Sequence, residues 1–222
     1  MLKFLPILLI LLYVGVTIAF SHWRLSRELR DKSGPLDHPK LLPLLARLGG
    51  AMDLPPIRAH VYETQAVNGL ASGDGRVFLT RGFLDKMDRG EFTPEELTGV
   101  IAHELGHVSL GHSRRRLIDF TTTQVMRGLL GRLIPFVGLW IGNLLAAAVA
   151  ARLSRSDEFE ADRFATALMI RAGLGHAPQV SLLGKLARLQ EGRAAPPEWI
   201  MSHPPHEKRI RAIEHSAASW GA

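Results

Sequence analysis

The residues best placed to do chemistry form the segment HELGH at positions 103–107. Histidines four positions apart lie on one face of a helix, one turn above the other, so both imidazoles can reach a single metal ion. Glu104 lies one position round the helix, near the ion without having to bind it, where it can accept a proton from a water that the ion activates. The spacing therefore predicts a zinc site with His103 and His107 as ligands and Glu104 as general base.

The third ligand must come from another part of the chain, because a catalytic zinc takes three protein ligands and leaves one position open for water. Glu158 and Asp162 lie four residues apart and share a helix face. We predict that Glu158 binds the metal and that Asp162 hydrogen-bonds a ligand histidine and holds its tautomer. The alternative is a solvated acidic turn at a helix N-terminus, a description that Glu160 fits. His112 does not have the spacing of a third histidine ligand and is expected at the helix end.

Two helices must position these side chains. Thr93 is a predicted N-cap, Pro94 the first helical residue, and Glu96 closes a capping box ahead of apolar residues at helical spacing. A second helix is predicted to begin at residues 154–157 and to run to about Gly173.

The remaining local signals predict a small sheet. Two β-like runs, Ile57 to Tyr62 and Arg76 to Thr80, are separated by the turn signal Asp74-Gly75 and suit a hairpin. A short helix is predicted over Leu41 to Leu48. The expected fold is α+β and mostly helical, with a small β-sheet.

The N-terminus carries an apolar run. Residues 4–20 contain no charged side chain, which predicts a transmembrane anchor over residues 1–21, with a cleaved signal peptide as the alternative. Residues 22–40 are then a juxtamembrane linker and residues 41–222 the catalytic domain. The basic residues after the run favour a cytoplasmic domain. They are Arg24, Arg27, Arg30, Lys32 and Lys40.

A second charge-free stretch covers Ile134 to Ala151. A single membrane crossing there would leave His103 and Glu158 on opposite sides of the bilayer, where one ion could not hold both. The stretch is therefore expected to form short helices packed on the domain or a patch that dips into lipid.

Composition excludes several classes of protein. The chain has 222 residues, 46% of them hydrophobic, which suits a folded domain with a core. The absence of cysteine excludes a disulfide-stapled module and thiol catalysis. The net charge of +6 would suit nucleic acid, but no recognition motif accompanies it, so no nucleic-acid partner is predicted.

The sequence from Leu41 to Ile213 resembles the HtpX-like and CaaX-prenyl-protease-type membrane zinc metallopeptidases, which are gluzincins. Four motifs carry the resemblance: HExxH followed by Val108 and Gly111-His112; Ser154-Arg155 ahead of Glu158-x-x-Ala161-Asp162-Arg163; Asn68-Gly69-Leu70-Ala71-Ser72-Gly73 with Gly82-Phe83-Leu84; and Ser202-His203-Pro204-Pro205 with Arg209.

The resemblance implies a zincin-like domain and assigns several roles. Glu158 matches the family's third zinc ligand, and His203 and Arg209 match positions that steady the transition state or gate the site. His203 as a structural histidine beside Pro204 is the alternative. The segment from Asn68 to Ala71 matches an edge strand that pairs with the substrate backbone, although the family pattern there is Asn-Ala-Phe-Ala.

These observations together predict a membrane-anchored endopeptidase with one zinc ion per chain. Its expected substrates are unfolded or membrane polypeptides in quality control, and its second partner is the lipid bilayer. The alternative is a chaperone-like or binding membrane protein with a self-inhibited zinc site. CaaX processing is a narrower third option.

Overall fold

Helices dominate this chain. The computed structural model describes residues 5–72, 74–112, 115, 138–190 and 204–221. The helices in these ranges are α1 (Leu5–Asp31), α2 (Leu42–Ala51), α3 (Arg81–Asp88), α4 (Pro94–Ser109), α5 (Gly138–Arg171), α6 (Ala177–Gln190) and α7 (His206–Ser219). The strands are β1 (Ser33–Pro35), β2 (Ala59–Tyr62), β3 (Gly69–Ala71) and β4 (Val77–Thr80). The prediction of a mostly helical α+β fold with a small sheet is confirmed.

The four strands form one mixed sheet in the order β1-β2-β4-β3. β2 and β4 are parallel, while β1 pairs antiparallel with β2 and β3 pairs antiparallel with β4. All four residues of β4 are buried, as expected for a central strand that is covered on both faces. β3 lies at the end of the order, next to β4.

The predicted hairpin between residues 57–62 and 76–80 is wrong, because β2 and β4 run parallel. Parallel strands cannot be joined by a tight turn, and the chain between them contains β3. The turn signal closes a different hairpin: Gly75 has φ +87° and donates to Ser72 O at 2.9 Å, between β3 and β4. Residue periodicity located the two central strands, β2 and β4, but it did not detect the three-residue β3.

The segment predicted as a linker, residues 22–40, contains regular structure. Helix α1 continues to Asp31, and β1 then pairs with β2. The helix continues through polar residues with the help of pairs spaced four apart, such as Lys32 Nζ and Glu28 Oε1 at 3.0 Å. Leu29 is buried, and Tyr62 donates to Glu28 at 2.9 Å, which attaches the end of α1 to the sheet.

Helix α4 begins where its sequence predicts. Thr93 Oγ1 accepts from the Glu96 backbone N–H at 3.2 Å, and Glu96 Oε2 accepts from the Thr93 N–H at 2.8 Å. This capping box satisfies two backbone donors at the helix start. The helix then buries Leu97 and Ile101 in a core shared with the sheet, α2 and α5.

Helix α5 begins at Gly138, so the predicted start at residues 154–157 is wrong. The residues before Ser154 are rich in alanine and leucine, and their helix propensity carries the helix through the capping signal. The helix ends at Arg171, near the predicted end. Residues 138–151 of the second apolar stretch are therefore continuous with the acidic motif, while residues 134–137 lie outside the described residues.

No helix in the described ranges has both the length and the apolar character required to cross a membrane.

Candidate metal centre

Three donor atoms from two helices converge on one point. His103 Nε2 and His107 Nε2 lie 3.1 Å apart. The Glu158 carboxylate approaches both, with Oε2 3.5 Å from His103 Nε2 and Oε1 3.5 Å from His107 Nε2. The three potential ligand atoms lie within 4.8 Å of one another. Two imidazole nitrogens and one carboxylate in this arrangement match the donor set of a catalytic divalent-metal site.

A close approach of α4 and α5 brings these donors together. His103 and His107 lie one turn apart on α4, and Glu158 faces them from α5. A Cβ added to Gly106 would lie 3.0 Å from Ala161 Cα and 3.1 Å from Ala161 O. Only glycine allows the two backbones to lie this close at that crossing.

Asp162 accepts a hydrogen bond from His103 Nδ1, called here the outer nitrogen because it is not part of the donor set. The spacing of Asp162 from Glu158 predicts this contact. His103 Nδ1 lies 2.9 Å from Asp162 Oδ1, so its N–H donates to the carboxylate and Nε2 keeps its lone pair for a metal. Arg209 donates to both Asp162 oxygens at 2.7 Å, and its Nη1 lies 3.3 Å from Glu158 Oε2. Arg209 therefore spans the two acids.

The buried charges shift two pKa values in opposite directions. Burial opposes ionisation of Asp162, but the Arg209 guanidinium and His103 outweigh it and hold the pKa of Asp162 at about 2. Burial also opposes protonation of His103, but Asp162 and Glu158 raise its pKa to about 9. A divalent cation bound at Nε2 would displace the proton that this second pKa describes.

Glu104 lies beside the donor set on α4. Burial raises the pKa of its carboxyl group, and the neighbouring histidines oppose the shift. A raised pKa brings a carboxylate closer to the range in which it can both accept and return a proton. The position therefore suits the general base that the sequence predicts.

The predicted substrate strand lies against this glutamate. β3 contains Gly69, Leu70 and Ala71, and the preceding Asn68 N–H donates to Thr80 Oγ1 at 3.0 Å. A Cβ at Gly69 would overlap Val100 and lie 3.4 Å from Glu104 Oε1. Glycine at this position lets the edge strand lie directly beside α4.

His112 and Glu160 have closer ties to the site than the sequence indicates. His112 is 1% exposed, and its Nδ1 lies 2.8 Å from His107 Nδ1. Its Nε2 lies 3.3 Å from Glu160 Oε2, so Glu160 is not simply a solvated acid. The sequence signal that could have indicated this position of His112 is the preceding Gly111. Its φ of +68° reverses the chain after α4.

The structure brings together most of the residues predicted for the site: His103, Glu104, His107, Glu158, Asp162 and Arg209. His203 lies outside the described residues.

Comparison with known proteins identifies relatives along most of the chain. The model of peptidase family M48 matches residues 40–217. Metalloprotease YcaL of Escherichia coli (strain K12) is 30% identical over 184 residues, which cover 81% of this chain and 70% of that protein. Metalloprotease LoiP of the same organism is 29% identical over 193 residues, with 83% and 73% covered. A protease HtpX homolog of Salinibacter ruber is 29% identical over 219 residues, with 81% and 75% covered.

Proposed function

This chain belongs to peptidase family M48 and is a metalloprotease, and from that premise we propose that it cleaves unfolded or misassembled polypeptides at a membrane with one zinc ion held by His103, His107 and Glu158. The observation that carries the proposal is the convergence of two Nε2 atoms and one carboxylate beside Glu104. The family resemblance and the predicted metallopeptidase chemistry agree with this arrangement.

Zinc is the metal that this donor set fits best. Two imidazoles and one carboxylate are the three protein ligands of many catalytic zinc sites, and His103, His107 and Glu158 would hold the ion here. When bound, the ion lowers the pKa of a water molecule and polarises the scissile carbonyl. The Asp162 carboxylate keeps His103 in the tautomer that such an ion requires.

Glu104 moves the proton in the proposed reaction. Its carboxylate accepts a proton from the attacking water and returns it to the leaving amine. Burial raises the pKa of Glu104, which makes its carboxylate a better acceptor for the proton of the attacking water than a carboxylate in bulk water. A purely structural metal site needs no such base, which favours an enzyme over a chaperone-like protein with a self-inhibited site.

Arg209 supports the acids in this scheme. It contacts Asp162, Glu158 and His103, and its pairing with Asp162 lowers the pKa of that carboxyl group. A contribution of Arg209 to the stabilisation of the oxyanion stays a prediction, as does the contribution of His203.

The substrate is proposed to bind in extended form along β3. Among the described strands, β3 is at the edge of the sheet and lies beside Glu104. Strand addition binds a peptide mainly through its backbone, so it accepts many sequences once the chain is unfolded. This mode suits the degradation of misfolded proteins.

Membrane attachment is proposed through α1. Its apolar side chains Leu12, Tyr13, Val16 and Phe20 are each more than half exposed, and residues 4–20 carry no charge. Basic side chains follow on the same helix, and they favour a cytoplasmic domain.

Alkaline extraction of membranes should retain the full chain and release a variant that lacks residues 1–21. Release of both proteins would contradict the attachment. Digestion of the domain by protease added outside intact spheroplasts would contradict the cytoplasmic side.

The catalytic proposal is tested with the purified full chain, zinc and an unfolded protein such as reduced casein. Glu104→Gln should retain about one zinc per chain and lose cleavage by about a hundredfold or more, because the amide cannot accept the proton. Glu158→Ala should lose both cleavage and tight zinc binding. Glu95→Gln, in the first turn of α4, is the matched control for Glu104→Gln. Cleavage by Glu104→Gln at the wild-type rate would refute the mechanism. A wild-type protein that binds casein without cleaving it would favour the chaperone-like alternative.

A further inference from the structure

The metal-binding histidines differ in what holds their outer nitrogens. His103 Nδ1 donates to a carboxylate of α5, whereas His107 Nδ1 lies 2.8 Å from Nδ1 of a third histidine, His112. The two rings meet edge to face, with centroids 4.9 Å apart and an interplanar angle of 71°. His112 is fully buried in a position that the zinc-binding motif does not explain.

A glycine turn places this histidine. Helix α4 ends at Ser109, Leu110 caps it, and Gly111 adopts φ +68°. That left-handed conformation reverses the chain and brings the next residue back beside the last turn of the helix. The turn at Gly111 therefore places the imidazole of His112 against the imidazole of His107.

Acidic side chains determine which nitrogen of His112 carries the proton. Its Nε2 lies 3.3 Å from Glu160 Oε2 and 3.9 Å from Asp157 Oδ1. A lone pair on Nε2 would face these carboxylates, so the proton belongs on Nε2. Arg115 holds both acids in place, at 3.1 Å from Glu160 and 3.2 Å from Asp157.

The direction of the hydrogen bonds then follows along the chain of groups. With its proton on Nε2, His112 presents a lone pair at Nδ1 and accepts a hydrogen bond from His107 Nδ1–H. His107 is thereby left with its lone pair on Nε2, the atom that faces His103 and Glu158. The opposite direction would place a proton on His107 Nε2 and block a cation.

We propose that His112 is a positioning residue for the metal ligand His107: it accepts the Nδ1 proton, fixes the tautomer and aims Nε2 at the ion. Helix α5 then serves both ligand histidines, one directly through Asp162 and the other through Glu160 and the His112 ring. This inference rests on the proposed zinc site and assigns a role to a residue outside it.

The test compares two substitutions at one position in the full-length chain. In His112→Asn the amide oxygen can replace the Nδ1 acceptor, whereas His112→Leu keeps the bulk and removes it. Zinc affinity, measured by competition with a chromophoric chelator, should fall about 10- to 100-fold in His112→Leu. Zinc affinity should stay within about threefold of wild type in His112→Asn, because the amide oxygen still accepts the hydrogen bond from His107 Nδ1–H. His38→Leu, at a half-buried histidine paired with Asp88, is the matched control.

A second readout needs no metal and no activity. Long-range ¹H–¹⁵N spectra of the metal-free wild-type protein should show His107 protonated at Nδ1 and His112 protonated at Nε2. Spectra with the opposite tautomers would overturn the proposal, as would wild-type zinc affinity in His112→Leu or equal losses in the two variants. Failure of the wild-type protein to bind zinc would instead overturn the proposed metal site.

Discussion

Substitution of Gly106 by alanine tests whether the close approach of α4 and α5 builds the metal site. The new Cβ would lie 3.0 Å from Ala161 Cα, 3.1 Å from Ala161 O and 3.3 Å from Phe164 Cβ. Ordinary contacts of this kind begin near 3.4 Å, so the helices must separate by several tenths of an ångström. Two of the three atoms belong to backbone and cannot rotate away.

The expected cost combines two opposing terms. Overpacking of this kind destabilises a protein by about 1–3 kcal/mol. Alanine is favoured over glycine inside a helix by about 1 kcal/mol, which offsets part of that cost. Gly106→Ala should therefore lower the free energy of unfolding by about 0–2 kcal/mol. Gly184→Ala on α6, where an added Cβ meets nothing within 4 Å, should raise it by up to about 1 kcal/mol.

The assay is urea unfolding of both variants in the metal-free form, followed by zinc titration. The difference between the two unfolding free energies isolates the clash and should be about 1–3 kcal/mol. Zinc affinity should fall in Gly106→Ala alone, because separation of the helices moves Glu158 away from His103 and His107. Equal stability of the two variants, with unchanged zinc binding in Gly106→Ala, would refute the reasoning.

Three further predictions concern Asp162 and the N-cap residue of α4, Thr93. Asp162→Ala should weaken zinc binding about 10- to 100-fold, because His103 Nδ1 loses its acceptor; unchanged affinity in a chelator competition would contradict this. The folded pKa of Asp162, about 2, lies below its ordinary value of 3.8, so its ionisation stabilises the metal-free protein above about pH 4. That contribution is lost as the pH falls toward 2, and denaturation curves of Asp162→Asn should show a shallower loss of stability over this window. Thr93→Ala removes the acceptor for the Glu96 N–H and should lower the free energy of unfolding by about 1 kcal/mol in urea unfolding; no change would show that the cap is dispensable.

Local patterns predicted the elements whose causes are local. The capping box at Thr93 and Glu96 marked the start of α4, and the structure places it there. The same logic was wrong at Ser154, because the alanine-rich residues before it extend the helix to Gly138. A capping residue marks a helix start only where the preceding chain cannot remain helical.

Strand pairing and the surroundings of His107 were harder to predict. Strands end at Tyr62 and Thr80 as the sequence predicts, but the predicted hairpin is wrong. β2 and β4 pair directly and in parallel, and β3, which lies between them in sequence, pairs with the other edge of β4. The sequence predicts His112 at the helix end, but its spacing from His107 does not indicate the contact between the Nδ1 atoms of the two rings. Its contact with Glu160 joins segments far apart in sequence, and no local pattern reports such a contact.

The amino-acid sequence by itself determined the chemistry of α4. The helical repeat places residues four apart on one face of the helix. The relative positions of the two imidazoles and the adjacent carboxylate are therefore determined within one helix. The tertiary structure alone decided that Glu158 reaches both imidazoles, that Gly106 lies against Ala161, and that a third histidine returns to the outer nitrogen of His107. These contacts depend on how side-chain volumes fit where two helices cross, and that fit is a property of both segments together.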